Sequence, residues 1–115
     1  MTAKVCLVTG SGRRIGASII RKFAAEGFAV LIHVSRSVEA GELLKSELLG
    51  QGHKADVVRA DLSDENETAK LIQTITQHPF VADRKGLDVL VHNASVYSQT
   101  PVSYTHLTLP TILLV

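Results

Sequence analysis

The chain of 115 residues carries a formal net charge of +1, with 45% hydrophobic and 20% charged residues. That length allows at most one small domain, and the near-neutral balance argues against an extended polyanion such as nucleic acid as a partner. The single Cys6 excludes a disulfide framework or a cysteine-based metal site within one chain. No apolar run reaches a membrane span, and residues 1–4 lead directly into a strand with no room for a signal peptide, so a soluble, cytoplasmic protein is expected.

The apolar residues 5–8 read as a strand that runs into Thr9 and a glycine-spaced turn, Gly10, Gly12 and Gly16. Strand, glycine turn and helix in succession place a helix N-terminus and bare backbone N–H groups against a phosphate. Gly10 allows the sharp turn, and Gly16 allows close packing of the helix. The spacing departs from G-x-G-x-x-G, and a glycine turn serving geometry alone is the plainer alternative. Its place at the head of a βαβ unit favours a dinucleotide.

Arg14 to Glu26 reads as the first helix, with Ile15, Ile19, Ile20, Phe23 and Ala24 recurring at three- and four-residue steps and Gly27 as its C-cap. Phe28 to His33 is a continuous β-branched run, as in a buried parallel strand. Val38 to Leu49 is a second helix with Leu43, Leu44 and Leu48 on one face, closed by Gly50. Residues 54–60 form a third strand with Ala55, Val57 and, as a further candidate, Val58 pointing inward. Asp64 caps a third helix, Glu67 reaching back in capping-box spacing. That helix runs through Leu71, Ile72 and Ile75 to about Gln77, and Pro79 stops it. His53 and His78 read as surface loop residues, and Leu87 to His92 is the fourth strand. Four strand–helix alternations imply an α/β, Rossmann-type doubly wound parallel sheet in the order 3-2-1-4, its switch point between the first and fourth strands.

The exit of the second strand bears on cofactor choice. An NAD site typically places a carboxylate there, whereas His33, Ser35, Arg36 and Ser37 precede the first acid, Glu39. A guanidinium with hydroxyls suits a 2′-phosphate, and Arg14 could close on that phosphate or on substrate. Any polar loop leaving a strand would also contain such residues. Asp61, by itself, is a helix-entry acid. Asn93, Ala94 and Ser95 follow the fourth strand at the switch point, where small residues let a nucleotide pass close to the backbone. Tyr97 is either an ordinary loop residue or an aromatic platform for a flat heterocycle. No histidines or carboxylates show metal-ligand spacing.

Together, Thr9-Gly10-x-x-x-Arg14-Ile15-Gly16, Asp61-Leu62 and Asn93-Ala94-Ser95 resemble the short-chain dehydrogenase/reductase family over residues 3–101. Within it the chain is most similar to the pteridine reductase and dihydromonapterin reductase branch. Arg14 stands where most members have glycine, and His92 where many have a second asparagine. The resemblance implies NADP(H), with the pyrophosphate carried along Gly10, Ser11, Ile15 and Gly16. Arg14, His33, Ser35, Arg36 and Ser37 would select the 2′-phosphate. Asp61 and Leu62 would line the adenine, and Asn93, Ala94 and Ser95 the ribose side. Ser95 and Tyr97 would meet a pterin-like substrate, and His92 is expected to be a satisfied strand-end histidine.

The family's proton donor, Tyr-x-x-x-Lys, is absent: Tyr104 is followed four residues later by Thr108. Residues 1–101 are therefore expected to be the N-terminal part of an NADP-binding domain whose parent is a homo-oligomeric NADPH-dependent reductase, with no catalytic residue in this fragment. A general carbonyl reductase acting on 3-oxoacyl thioesters is the second reading. A non-catalytic dinucleotide-binding module is the reading from another class. Residues 102–111 match one reading frame of a common transposase sequencing adapter, so 102–115 is expected to be a non-native tail. As a strand it would have no evident partner. A sheet ending at the fourth strand would then leave an open, aggregation-prone edge.

Overall fold

Residues 5–8 are apolar at every position because both faces of the strand they form are covered. The computed structural model describes residues 4–10, 14–81, 87–93 and the backbone of 112–114. Its elements run β1 (Val5–Val8), α1 (Arg14–Ala25), β2 (Ala29–Val34), α2 (Val38–Gly50), β3 (Ala55–Arg59), α3 (Glu65–Gln77), β4 (Val89–His92) and β5 (Ile112–Leu114). All paired strands are parallel, in the order β3-β2-β1-β4-β5.

Side-chain alternation along the strands divides the interior into two cores. Val5 and Leu7 point to the face covered by α3, whose Leu71 and Ile75 pack there. Cys6 and Val8 point to the opposite face, against Ile20 and Ala24 of α1 and Leu44 and Leu48 of α2. The register sets Leu7 between Leu31 of β2 and Leu90 of β4, all fully buried. Each such leucine contributes about 1.5–3 kcal/mol by leaving water. Burial pushes the Cys6 thiol up to about 12, leaving it a small hydrophobe.

The helix faces differ in part from the periodic reading. Ile15 is 62% exposed and Leu43 73% exposed. At 100° per residue, Ile15 lies roughly 140° around the helix from Ile20, outside the stripe formed by Gly16, Ala17, Ile20 and Ala24. Leu43 likewise falls outside the stripe of Gly41, Leu44 and Leu48, where the absence of a side chain at Gly41 brings α2 against the sheet. A Cβ there would lie 2.8 Å from Val34 Cγ1 and 3.3 Å from Val57 Cγ1.

Helix ends follow capping chemistry. After α1, the Gly27 N–H reaches the Ala24 carbonyl and the Phe28 N–H the Phe23 carbonyl, with the two phenyl rings edge-to-face at 4.9 Å. The residue that closes α2 is Gly52 rather than Gly50. Its φ of +87° lets its N–H reach the Leu49 carbonyl, and the His53 N–H that of Leu48. Asp64 caps α3 by accepting from the Asn66 and Glu67 N–H groups. Glu67 does not complete a capping box; its carboxylate accepts from the Asp61 N–H at 2.8 Å.

His78 is buried, not a surface residue, because two polar groups meet its ring. Its Nε2 lies 2.6 Å from Asp56 Oδ2, and its Nδ1 accepts from the Phe80 N–H at 3.1 Å. Lys45 of α2 donates to the other oxygen of Asp56 at 3.0 Å. This joins α2, β3 and the chain beyond α3.

The expectation that a strand in the last fourteen residues would lack a partner is corrected. Ile112–Leu114 pairs in parallel with β4, Val91 opposite Leu113. An open strand edge offers a row of unpaired N–H and C=O groups, and a β-prone segment satisfies it.

Candidate active site at the strand carboxyl ends

The carboxyl ends of β1, β2, β3 and β4 meet at one rim of the sheet, and the order reverses between β1 and β4. In open α/β sheets this is where a crevice forms. At the end of β1 the Thr9 N–H donates to the Val91 carbonyl at 3.0 Å, extending the ladder by one residue. The Thr9 hydroxyl accepts from the Asn93 N–H at 2.8 Å and lies 3.4 Å from His92 Nδ1. Asn93 Nδ2 donates to the Gly10 carbonyl at 3.3 Å. Asn93 thus fastens the exit of β4 to the exit of β1.

Gly10 turns the chain with a φ of +63°. On its other side the Gly10 N–H donates to His33 Nδ1 at 2.9 Å, and His33 Nε2 lies 2.9 Å from the Ala60 carbonyl. An amide can only donate and a carbonyl can only accept, so the ring carries its proton on Nε2. His33 is 1% exposed, and burial holds its pKa below the ordinary histidine value. Both ring nitrogens are committed to backbone, which corrects the expectation that His33 meets a 2′-phosphate. It acts on the turn instead. Sequence reading overlooked this although the signal was present: a histidine inside an apolar buried strand must find partners for both nitrogens.

Arg14, the first residue of α1, is exposed and has a φ of +58°. The left-handed region costs a residue with a Cβ about 1–2 kcal/mol. At the exit of β2, Ser35 and Ser37 are half-buried and Arg36 is exposed. Ser37 occupies the N-cap of α2 without a side-chain capping bond. Asp61 accepts from the Ser63 N–H and hydroxyl through Oδ1, and these bonds, with the charges of Arg36 and Arg59, hold its carboxyl below the usual range. Leu62 is buried beside it. Gly16 is buried in the first turn of α1, and Ile15 is open on its surface.

The fold therefore brings Gly10, Arg14, Ile15, Gly16, Ser35, Arg36, Ser37, Asp61, Leu62 and Asn93 to the same rim. Ser11, Ala94, Ser95 and Tyr97 lie outside the described residues. A groove of about 300 Å³ between α1 and α2 shares only Arg14 with this rim. It lies on the helical side, away from the switch point, so the strand ends remain the better site. Burial also lowers the His92 pKa.

The sequence matches the family described as short chain dehydrogenase over residues 4–109. Elsinochrome reductase 1 of Elsinoe fawcettii is 35% identical over 107 residues, 93% of this chain and 36% of that protein. The 3-oxoacyl-[acyl-carrier-protein] reductase of Synechocystis sp. is 34% identical over 100 residues, 87% of this chain and 38% of that protein. Among solved structures, FolM Alternative dihydrofolate reductase 1 from Brucella canis complexed with NADP superposes with a TM-score of 0.68 at 35% identity. That match covers 84% of this chain and 36% of the Brucella protein. The chain thus spans little more than a third of the length of these proteins.

Proposed function

Because the chain belongs to the short-chain dehydrogenase family, we propose that it is the cofactor-binding N-terminal part, residues 1–101, of a cytoplasmic, homo-oligomeric NADPH-dependent reductase acting on a pterin. The observation that carries the cofactor is the exit of β2. Ser35, Arg36 and Ser37 stand where an NAD enzyme would present a carboxylate, and Ser37 caps α2 without spending its hydroxyl on the helix. A phosphate seated there would meet the N-terminal dipole of α2 and the Arg36 guanidinium. Arg14 would close over it from α1. Nicotinamide supplies the hydride when bound. The residues of this chain would do the holding: the turn at Gly10 the pyrophosphate, Asp61 and Leu62 the adenine, Asn93, Ala94 and Ser95 the ribose side.

The pterin reading is supported by Arg14 in place of glycine, by Tyr97 as a stacking platform, and by the likeness to the Brucella reductase, since a dihydrofolate carries a pterin ring. The likeness to the Synechocystis enzyme supports the second reading, reduction of a 3-oxoacyl thioester. Titration of the chain with NADPH and NADH tests the cofactor. NADPH should bind at least about tenfold more tightly, and Arg36→Ala should remove most of that difference. Equal affinities would sink the assignment. For the substrate, the gene is sequenced outward from codon 100 and the continuing frame expressed. A Tyr-x-x-x-Lys in that frame and NADPH oxidation dependent on a dihydropterin, lost on Tyr97→Ala, fit a pterin reductase. Activity on simple ketones that survives Tyr97→Ala fits the second reading.

A further inference from the structure

Three segments that no local sequence signal connects are joined through one imidazole. Gly10 begins the turn after β1, His33 sits in β2, and Ala60 ends the ladder of β3, where its own N–H donates to the Val34 carbonyl at 3.1 Å. The His33 ring bridges the Gly10 N–H and the Ala60 carbonyl, 2.9 Å from each. Immediately after Ala60, the Asp61 N–H is held by Glu67. Both backbone segments that border the rim of the sheet therefore take their position from a side chain reaching in from another element.

We infer that His33 is a positioning residue for the dinucleotide, setting the glycine turn at Gly10 and the adenine-side segment at Ala60 in one register. The inference rests on the cofactor reading above. The physical argument is the rigidity of the bridge. The ring is buried and planar, so the separation of its two partners is fixed by the imidazole itself. At the left-handed turn the Gly10 carbonyl is held by Asn93 Nδ2, and the His33 ring holds the N–H. The acceptor at Nδ1 selects the orientation in which the Gly10 N–H faces β2. The turn held in this orientation would be the one presented to a phosphate. Without that acceptor the half-buried Gly10 amide loses its partner, and the turn reorients to find water.

Two substitutions separate this role from simple packing. His33→Asn places an amide oxygen near the Nδ1 position and keeps an acceptor for Gly10 while losing the donor to Ala60. His33→Gln keeps a donor toward Ala60 and loses the acceptor for Gly10. Each removes one hydrogen bond, so their melting temperatures should fall alike. NADPH affinity should not: the Asn variant should bind within about threefold of the parent, and the Gln variant about tenfold or more weakly. Equal loss of affinity in both variants, in proportion to stability, would reduce His33 to a structural residue and overturn the inference.

A second measurement does not depend on cofactor at all. In nitrogen-15 NMR spectra of the unliganded chain, His33 should show a protonated Nε2 and an unprotonated Nδ1, with the Gly10 amide slow to exchange. In His33→Gln that amide should exchange quickly. The opposite tautomer, or fast Gly10 exchange in the parent chain, would refute the bridge even if NADPH binds. If the bridge is present but neither nicotinamide dinucleotide binds, the cofactor reading fails and the positioning role fails with it.

Discussion

A histidine with both nitrogens bonded to backbone is a charge-averse group, and its effect on stability has a definite sign. Burial holds the pKa of His33 below the ordinary value of 6.5, and that of His92 in the same direction. Between 6.5 and the lower folded value, the unfolded chain takes up protons that the native chain refuses. Stability is therefore full above about pH 6.5 and declines as the pH falls below it. Asp56 and Asp61 are shifted below 3.8, so their contribution is present above that value and is lost only in stronger acid. Urea midpoints measured between pH 7.5 and pH 5 should fall with acidification, and His33→Gln should flatten the slope. A parent midpoint unchanged across that interval would contradict a neutral His33. The residue types at this rim were legible in the sequence, but the work of His33 was not. Spacing reveals that a histidine lies in an apolar strand, not that its partners are 23 and 27 residues away.

The elements were more legible than the faces they bury. Strand and helix positions followed from hydrophobic runs and cap residues, which are local. Which leucine of α2 meets the sheet depended on where the small residue lies. Gly41 brings the helix close, Leu44 and Leu48 follow on its stripe, and Leu43 is left in water. Gly41→Ala should therefore lower stability by about 1 kcal/mol. An overpacking cost of about 1–3 kcal/mol against the stiff Val34 side chain is only partly offset by the better helix propensity of alanine, worth about 1 kcal/mol. Gly50→Ala is the control, since a Cβ there meets nothing within 4 Å, and it should leave stability unchanged or raise it. Denaturant melts of the two variants check the contrast. Equal effects would mean that the close approach of α2 carries no cost.

Across the described residues the central strands β1 and β2 are buried at every position, on both faces of the sheet. The outer strand beside β4 is the short β5, contributed by residues 112–114. Truncation after residue 111 should bare the edge of β4 and increase self-association, read by light scattering at matched concentration. An unchanged scattering profile would show that β5 adds nothing to edge protection. Residues 102–111 lie outside the described residues, and the expectation of a non-native tail is a proposal tested by the gene sequence.

The sequence by itself determined the order of elements as far as β4, the parallel sheet and the switch point beside β1. Apolar periodicity fixes each element locally, and short right-handed connections leave few ways to arrange them. The tertiary structure alone decided the partners that cross between elements. These are His33 between Gly10 and Ala60, Glu67 on Asp61, Asp56 on His78, and Asn93 on Thr9 across 84 positions of chain. Such pairs form because the fold has already removed water from polar groups that must then find one another. A pattern along the chain can show that such a group needs partners, but not which distant groups they are.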